Sequence, residues 1–263
     1  MLAFARRVDP DRFLAALFAP AERRPALFTL IAFNHELARA REATSTPIAA
    51  LIRLQWWRDA LAEAARGLPP RRHEVAGPLH AAVRAGSFDV GELTALVDAR
   101  EVEAEEEGIP SRAAFWAWLR AGAGGMAVVA GRLLEVPGAA MPGLQTIGAA
   151  YGLAGVLRSV PFHATQGRCL LPAEALAEHG LVAEGVIAAP ASAAPVVREL
   201  AAEGLAMLDA AQPLVPRQAV AAALPGVLAR RDLRRLQAGR AVPAPRGLGD
   251  RLAVVWAGLR GSV

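Results

Sequence analysis

The chain contains no lysine: its 29 basic side chains of the Lys/Arg type are all arginine. It has one cysteine, Cys169, and one tyrosine, Tyr151. A lone cysteine excludes a disulfide within the chain and any cluster built on several thiolates. Aromatic residues make up only 5% of the chain, and they do not interleave with basic residues as a single-strand nucleic-acid binder requires. The net charge is +4 against 25 acids, and the pI is near 10.6. Arginine stays protonated far above neutral pH, so it raises the pI without creating a concentrated basic surface. No nucleic-acid partner is expected.

Long hydrophobic runs are also missing. No stretch of about 18 uncharged apolar residues is present, so no transmembrane span is expected. The start, "MLAFARRVDPDRF", lacks the basic, apolar and small-residue order of a secretory signal. Alternating strand patterns are absent as well.

What is present is helical. With 54% apolar residues over 263 positions, the chain suffices for a large buried core. The spacing predicts helices in "DPDRFLAALFAP", with a stripe of Phe13, Leu14, Leu17 and Phe18, and in "PAERRPALFTLIAFNHELARARE", with Leu27, Leu30, Ile31, Asn34 and Leu37 on one face. "PIAALIRLQWWRDALAEAARG" opens on proline and ends on glycine, with Ile48, Leu51, Ile52 and Trp56 along one side. "FDVGELTALVDAREVEAEEEG" reads as a helix ending at Gly108, and "EGVIAAPASAAP" as a connector. Eight to ten such helices in one domain, residues 1–263, predict an all-α fold.

Several local patterns suggest chemistry. "AGAGGMAVVAG" resembles a phosphate loop, but no strand precedes it and no Gly-Lys-Ser follows, so close helix packing is the simpler reading. "EVEAEEEG" reads as a solvated acidic helix end rather than a cation site. "ARRDLRRLQAGR", Ala229 to Arg240, reads as an exposed basic face, with a peripheral membrane contact as the functional alternative. His35, Arg39 and Glu42 share a helix face, yet the spacing supplies no further metal ligand. In "GVLRSVPFHATQGRCLLP", Ser159 and His163 stand one helical turn apart, as a nucleophile and base would. Pro161 distorts that turn, and no acid nearby orients the histidine. Cys169 reads as a structural thiol.

The same stretches carry a family resemblance. "YGLAGVLRSVPFHATQGRCLLPAEAL" resembles the second signature of the squalene/phytoene synthase family, with Val156, Leu157, Arg158, Val160, Gly167, Arg168, Leu171 and Pro172 keeping its frame. "LIAFNHELARARE" is similar to the first signature, and "LQWWRDAL" and "LPGVLARRDLRRL" fall where the family has similar helices. The resemblance implies an isoprenoid-synthase-like helical fold with a central cavity. It also implies two facing Asp-rich helices that hold Mg²⁺, a hard cation requiring oxygen ligands.

This chain departs from that pattern. The first Asp pair aligns with Ala38 and Arg39, and only Glu42 keeps an acid there. In the second signature Gly155 replaces an Asn, Ser159 an Asp, and Phe162 and His163 the last acidic pair. A synthase-like branch of the family that serves respiratory complex I assembly is similar in these very substitutions. The resemblance therefore implies a non-catalytic protein, without a metal, that contacts complex I subunits or assembly intermediates or holds an isoprenoid-like lipid. Asn34, His35, Arg39, Arg158, His163 and Arg168 would line its pocket. The alternative is an active Mg²⁺-dependent prenyltransferase. The expected location is cytoplasmic, peripheral at the inner membrane.

Overall fold

The computed structural model describes all residues except 45, 105–107, 212–214, 244 and 262–263. Among the described residues there is no strand. The chain runs through α1 (Leu2–Val8), α2 (Pro10–Ala16), α3 (Arg24–Glu42), α4 (Pro47–Ala65), α5 (Ala76–Arg84), α6 (Val90–Asp98), α7 (Arg112–Leu119) and α8 (Gly125–Leu133). It continues through α9 (Met141–Arg158), α10 (Val160–Thr165), α11 (Ala173–Glu178), α12 (Ala183–Ala188), α13 (Ala194–Ala211), α14 (Val220–Ala223), α15 (Pro225–Gln237) and α16 (Leu248–Arg260). The fold is all-α, as its composition and periodicity predict.

Side-chain caps define several starts. Asp9 accepts from the Arg12 backbone amide at 2.9 Å, with Pro10 in the first turn of α2. Asp89 caps α6 through the Glu92 amide at 3.0 Å, and Ser111 caps α7 through the Ala114 amide at 3.1 Å. Each satisfies a backbone donor that the helix leaves unpaired.

The core is organised around α9. Leu144, Ile147, Ala149, Ala150, Leu153, Ala154 and Leu157 are all buried, so this helix is enclosed on every side. It packs against α8, α13 and α15, and against a π-helical turn at Arg120–Gly124 that joins α7 to α8. That turn lies within the glycine-rich run. A Cβ built on Gly148 would sit 2.5 Å from the Ala123 carbonyl oxygen and 2.7 Å from the Ala127 Cβ. One on Gly124 would meet the Gln145 carbonyl at 2.7 Å. Backbone approaches backbone here, so the glycines serve helix packing. The stretch Arg112–Leu133 is long and apolar enough to cross a membrane by length and composition, but 56% of its apolar window is buried inside the protein. Its apolarity is that of a core rod.

The fold departs from several expectations. The Ile48, Leu51 and Ile52 side of α4 faces outward, and its buried face is Ala50, Leu54, Trp57, Leu61 and Ala64. Apolar residues occupy both faces of this helix, so periodicity alone could not choose between them. The α2 stripe of Phe13, Leu14 and Leu17 lines a cavity, while Ala15 and Ala16 meet the core. The helix predicted to end at Gly108 ends at Asp98 and is followed by a 3₁₀ turn at Glu101–Ala104. Glu105, Glu106 and Glu107 of the acidic run lie outside the described residues. The connector before α13 contains α12 and a 3₁₀ turn at Pro190–Ala193.

Two glycines of α9 should respond in opposite directions. Gly148→Ala is expected to destabilise by about 1–3 kcal/mol, because carbonyl and helix backbone cannot yield to a methyl group. At Gly155 a Cβ meets nothing within 4 Å, so Gly155→Ala should stabilise by roughly 0.5–1 kcal/mol through helix propensity. Urea unfolding of both variants checks the pair; equal shifts would contradict the packing described.

Candidate functional site

A cavity of about 1200 Å³ opens between α1, α2, α7, α9 and the segment preceding α16. Its polar lining includes Arg6, Arg12, Arg100, Arg158, Arg246 and Arg251, opposed by Asp9 and Asp11. The surplus of charge is cationic. A small apolar cavity of about 40 Å³ shares Arg12, Ala123 and Tyr151 with it, and extends between Leu27, Leu30, Ile31 and Met126.

The cations differ in how they are held. Arg12 pairs with Asp9 at 2.9 Å and lies over the Tyr151 ring, 4.6 Å from its centroid. The Tyr151 hydroxyl donates to Asp11 at 3.3 Å. Burial, reinforced by Asp9, pushes that hydroxyl's pKa up, so it remains a donor. Arg246 bridges Asp11 at 2.9 Å and Asp232 at 2.6 Å. Burial opposes the Arg246 charge, but these carboxylates outweigh it and raise its pKa. Asp232 is fully buried and also accepts from Arg158 and Arg235, each at 3.3 Å. Arg158 is thus only loosely held and stays partly exposed to the cavity. Among the described residues, no ion pair engages Arg6 or Arg251 on the rim.

Of the ten positions that the sequence singles out, the cavity is lined by Asn34, Gly155, Arg158 and Ser159. Asn34 accepts from Arg100 at 2.9 Å, and Arg100 also pairs with Glu103 at 2.6 Å. The other six are not part of the lining. His35 is half-buried with its edge toward Phe4, ring centroids 5.9 Å apart, and burial lowers its pKa. Ala38 is half-buried; Arg39 is exposed, 3.9 Å from Glu36. Glu42 lies at the end of α3 near Glu103, Arg168 and Arg100. Desolvation first, and Glu103 second, raise its carboxyl pKa.

Pro161 does not bend a continuous helix. α9 ends at Arg158, Ser159 separates the two helices, and α10 begins with Pro161 in its first turn, where no amide donor is needed. The His163 amide donates to the Ser159 carbonyl at 2.8 Å, so the two are one turn apart. Ser159 faces the cavity while His163 lies outside its lining, and His163 Nδ1 is buried with no partner among the described residues. They form no nucleophile–base pair. α10 closes at Gly167, whose φ of +66° allows the Gly167 amide to reach the Ala164 carbonyl and the Arg168 amide the His163 carbonyl. This turn aims Arg168 at the Glu103 carbonyl, 2.8 Å away. Cys169 is half-buried, and burial raises its thiol pKa, which leaves it protonated.

On α15, Arg230 pairs with Asp209, and Arg231 and Arg235 pair with Asp250 at 2.6 and 2.8 Å. Leu228, Leu233 and Leu236 are buried. Three of the arginines between 230 and 240 are thus engaged by acids, while Arg234 and Arg240 are exposed. Sequence reading also passed over Arg6, Asp11, Arg100, Asp232, Arg246 and Arg251.

Burial, then Arg168, lower the His163 pKa to about 4 despite the opposing field of Glu103. An unfolded histidine titrates near 6.5. Between about pH 6.5 and 4 the unfolded chain therefore binds a proton that the folded chain refuses, and stability from this group is lost as pH falls. Melting curves from about pH 7 down to 4.5 should fall less steeply for His163→Gln than for wild type. Parallel curves would show that His163 is not held neutral.

The model of the squalene/phytoene synthase family matches residues 5–254. "NADH dehydrogenase (ubiquinone) complex I, assembly factor 6" of Mus musculus and of Homo sapiens are each 27% identical over 184 residues, 70% of this chain. The match spans 55% of the length of those relatives. A crystal structure of a dehydrosqualene synthase in complex with ligand superposes with a TM-score of 0.74 at 15% identity, covering 98% of this chain and 94% of the other. Squalene synthase HpnC from Alicyclobacillus acidocaldarius superposes with a TM-score of 0.67 at 15% identity, covering 98% and 92%. The helical path around the cavity and the match over nearly the whole chain agree: the protein belongs to the squalene/phytoene synthase family.

Proposed function

We propose that this protein is a non-catalytic member of its family, which binds an anionic isoprenoid-type lipid without a metal ion and acts in the assembly of respiratory complex I. The observation that carries the reading is the position of Arg100. Its guanidinium joins Asn34 on α3 to Glu103, so a cation occupies the end of the cavity where the first-signature helix arrives. Among the described residues no three His, Cys, Asp or Glu side chains are grouped to hold a metal ion. Glu42 is the one acid kept in the first signature, and its raised pKa weakens it as a ligand for a hard cation. These residues do not fit Mg²⁺.

They do fit an anion. Arg158 is loosely tied to Asp232, and Arg6 and Arg251 flank the opening, so phosphate oxygens can be met by guanidinium groups directly. The apolar extension past Tyr151 provides a place for the start of a hydrocarbon chain. The role in complex I assembly rests on the assembly-factor relatives alone.

A second reading, an active Mg²⁺-dependent prenyltransferase, draws on one observation. Glu103 is close enough for its charge to raise the Glu42 carboxyl further.

Titration calorimetry with farnesyl diphosphate separates the two. Binding should persist in EDTA, and Arg158→Gln should weaken it by about tenfold, or ~1.4 kcal/mol. Metal-dependent affinity, or a condensed hydrocarbon product on adding Mg²⁺, would establish the enzyme instead; Glu42→Gln should then abolish turnover. For the cellular role, deletion of the gene is expected to lower NADH:quinone activity of membranes. Unchanged activity would remove the assembly role and leave only the lipid-binding one.

A further inference from the structure

The last helix has its polarity inverted. On α16 the large apolar residues Leu248, Leu252, Trp256 and Leu259 are exposed by 77%, 65%, 63% and 68%. Their spacing of four, four and three places them in a single line along the helix. The inward face is made by Val254, by Gly258 against the Phe18 ring, and by Asp250. Asp250 is the only acid of α16, and it is buried beneath Arg231 and Arg235. The exposed charges of the helix are therefore Arg251 and Arg260. The Arg260 guanidinium lies over the Trp256 ring, 5.5 Å from its centroid. Arg217 packs beneath Gly261 at the helix end.

A line of leucines around one tryptophan, flanked only by arginines, matches the boundary between acyl chains and anionic headgroups. Tryptophan prefers that boundary because its ring is apolar and its N–H polar. Arginine neutralises lipid phosphates while its stem covers apolar surface. A protein partner would call for no such uniform sign of charge around the stripe. We propose that α16 docks the protein onto an anionic lipid bilayer, with Leu248, Leu252, Trp256 and Leu259 entering the interface. Arg251 belongs both to this helix and to the rim of the 1200 Å³ cavity, so docking brings the cavity's edge to headgroup level. The inference does not depend on what the cavity holds.

Flotation with vesicles tests it. Phosphatidylcholine vesicles containing about one-third phosphatidylglycerol should carry the protein upward, with weaker binding at high salt and little to pure phosphatidylcholine. The double variant Leu252→Gln/Trp256→Gln alters only exposed side chains and should melt like wild type, yet lose at least about tenfold in vesicle affinity. Trp256→Gln alone should lose part of that affinity. Equal flotation of wild type and double variant would overturn the proposal, as would wild type that stays at the bottom with every vesicle. A concentration-dependent dimer that the double variant dissolves, with no vesicle binding, would assign the stripe to a second copy of this chain and overturn it as well.

Discussion

Asp232 is the carboxylate on which the cavity depends. It is fully buried and accepts from Arg158 of α9, Arg235 of its own helix and Arg246 of the segment before α16. A single buried charge is costly, and three guanidinium partners offset that cost while tying three parts of the chain together. Through Arg246 the network reaches Asp11, and through Asp11 it reaches Tyr151. The wall contributed by α2 is thus joined to α9 and α15 by hydrogen bonds rather than by side-chain volume. That leaves the space between them open.

The same network sets the electrostatics of the site. Arg246 and Arg235 each meet a second carboxylate, Asp11 and Asp250, whereas Arg158 meets Asp232 alone, at 3.3 Å from the cavity side. Arg100 alone of the Glu103 cluster reaches the cavity lining; Arg168 and Glu42 lie behind it. On the proposed reading, this excess of guanidinium charge would favour phosphate oxygens over divalent cations.

Much of the architecture was legible because helix signals are local. Proline entries such as those of α2 and α4 act within a few residues, and the core face of α3 was read correctly from Leu27, Leu30, Ile31 and Leu37. The glycine-rich run was likewise read as a packing surface, since no phosphate-loop context surrounds it. The candidate site was less legible. Asn34, Arg158 and Ser159 reach the cavity, but His35, Arg39 and His163 are turned elsewhere by helix phase and by the break at Ser159. Arg6, Arg100 and the Arg246–Arg251 stretch lie far apart in the chain and carry no spacing that links them.

By itself the sequence determined an all-α chain that carries the frame of a known family's signatures, and the proline-marked starts of several helices. These follow from residue identity and from interactions within a turn or two. Only the tertiary structure decided which apolar face of α4 and α16 meets the core, which arginines share Asp232, and that Arg230, Arg231 and Arg235 of α15 pair with acids. Each of these depends on what another helix presents from tens to hundreds of residues away. A stripe such as Leu248, Leu252, Trp256 and Leu259 looks the same in sequence whether it points inward or to solvent.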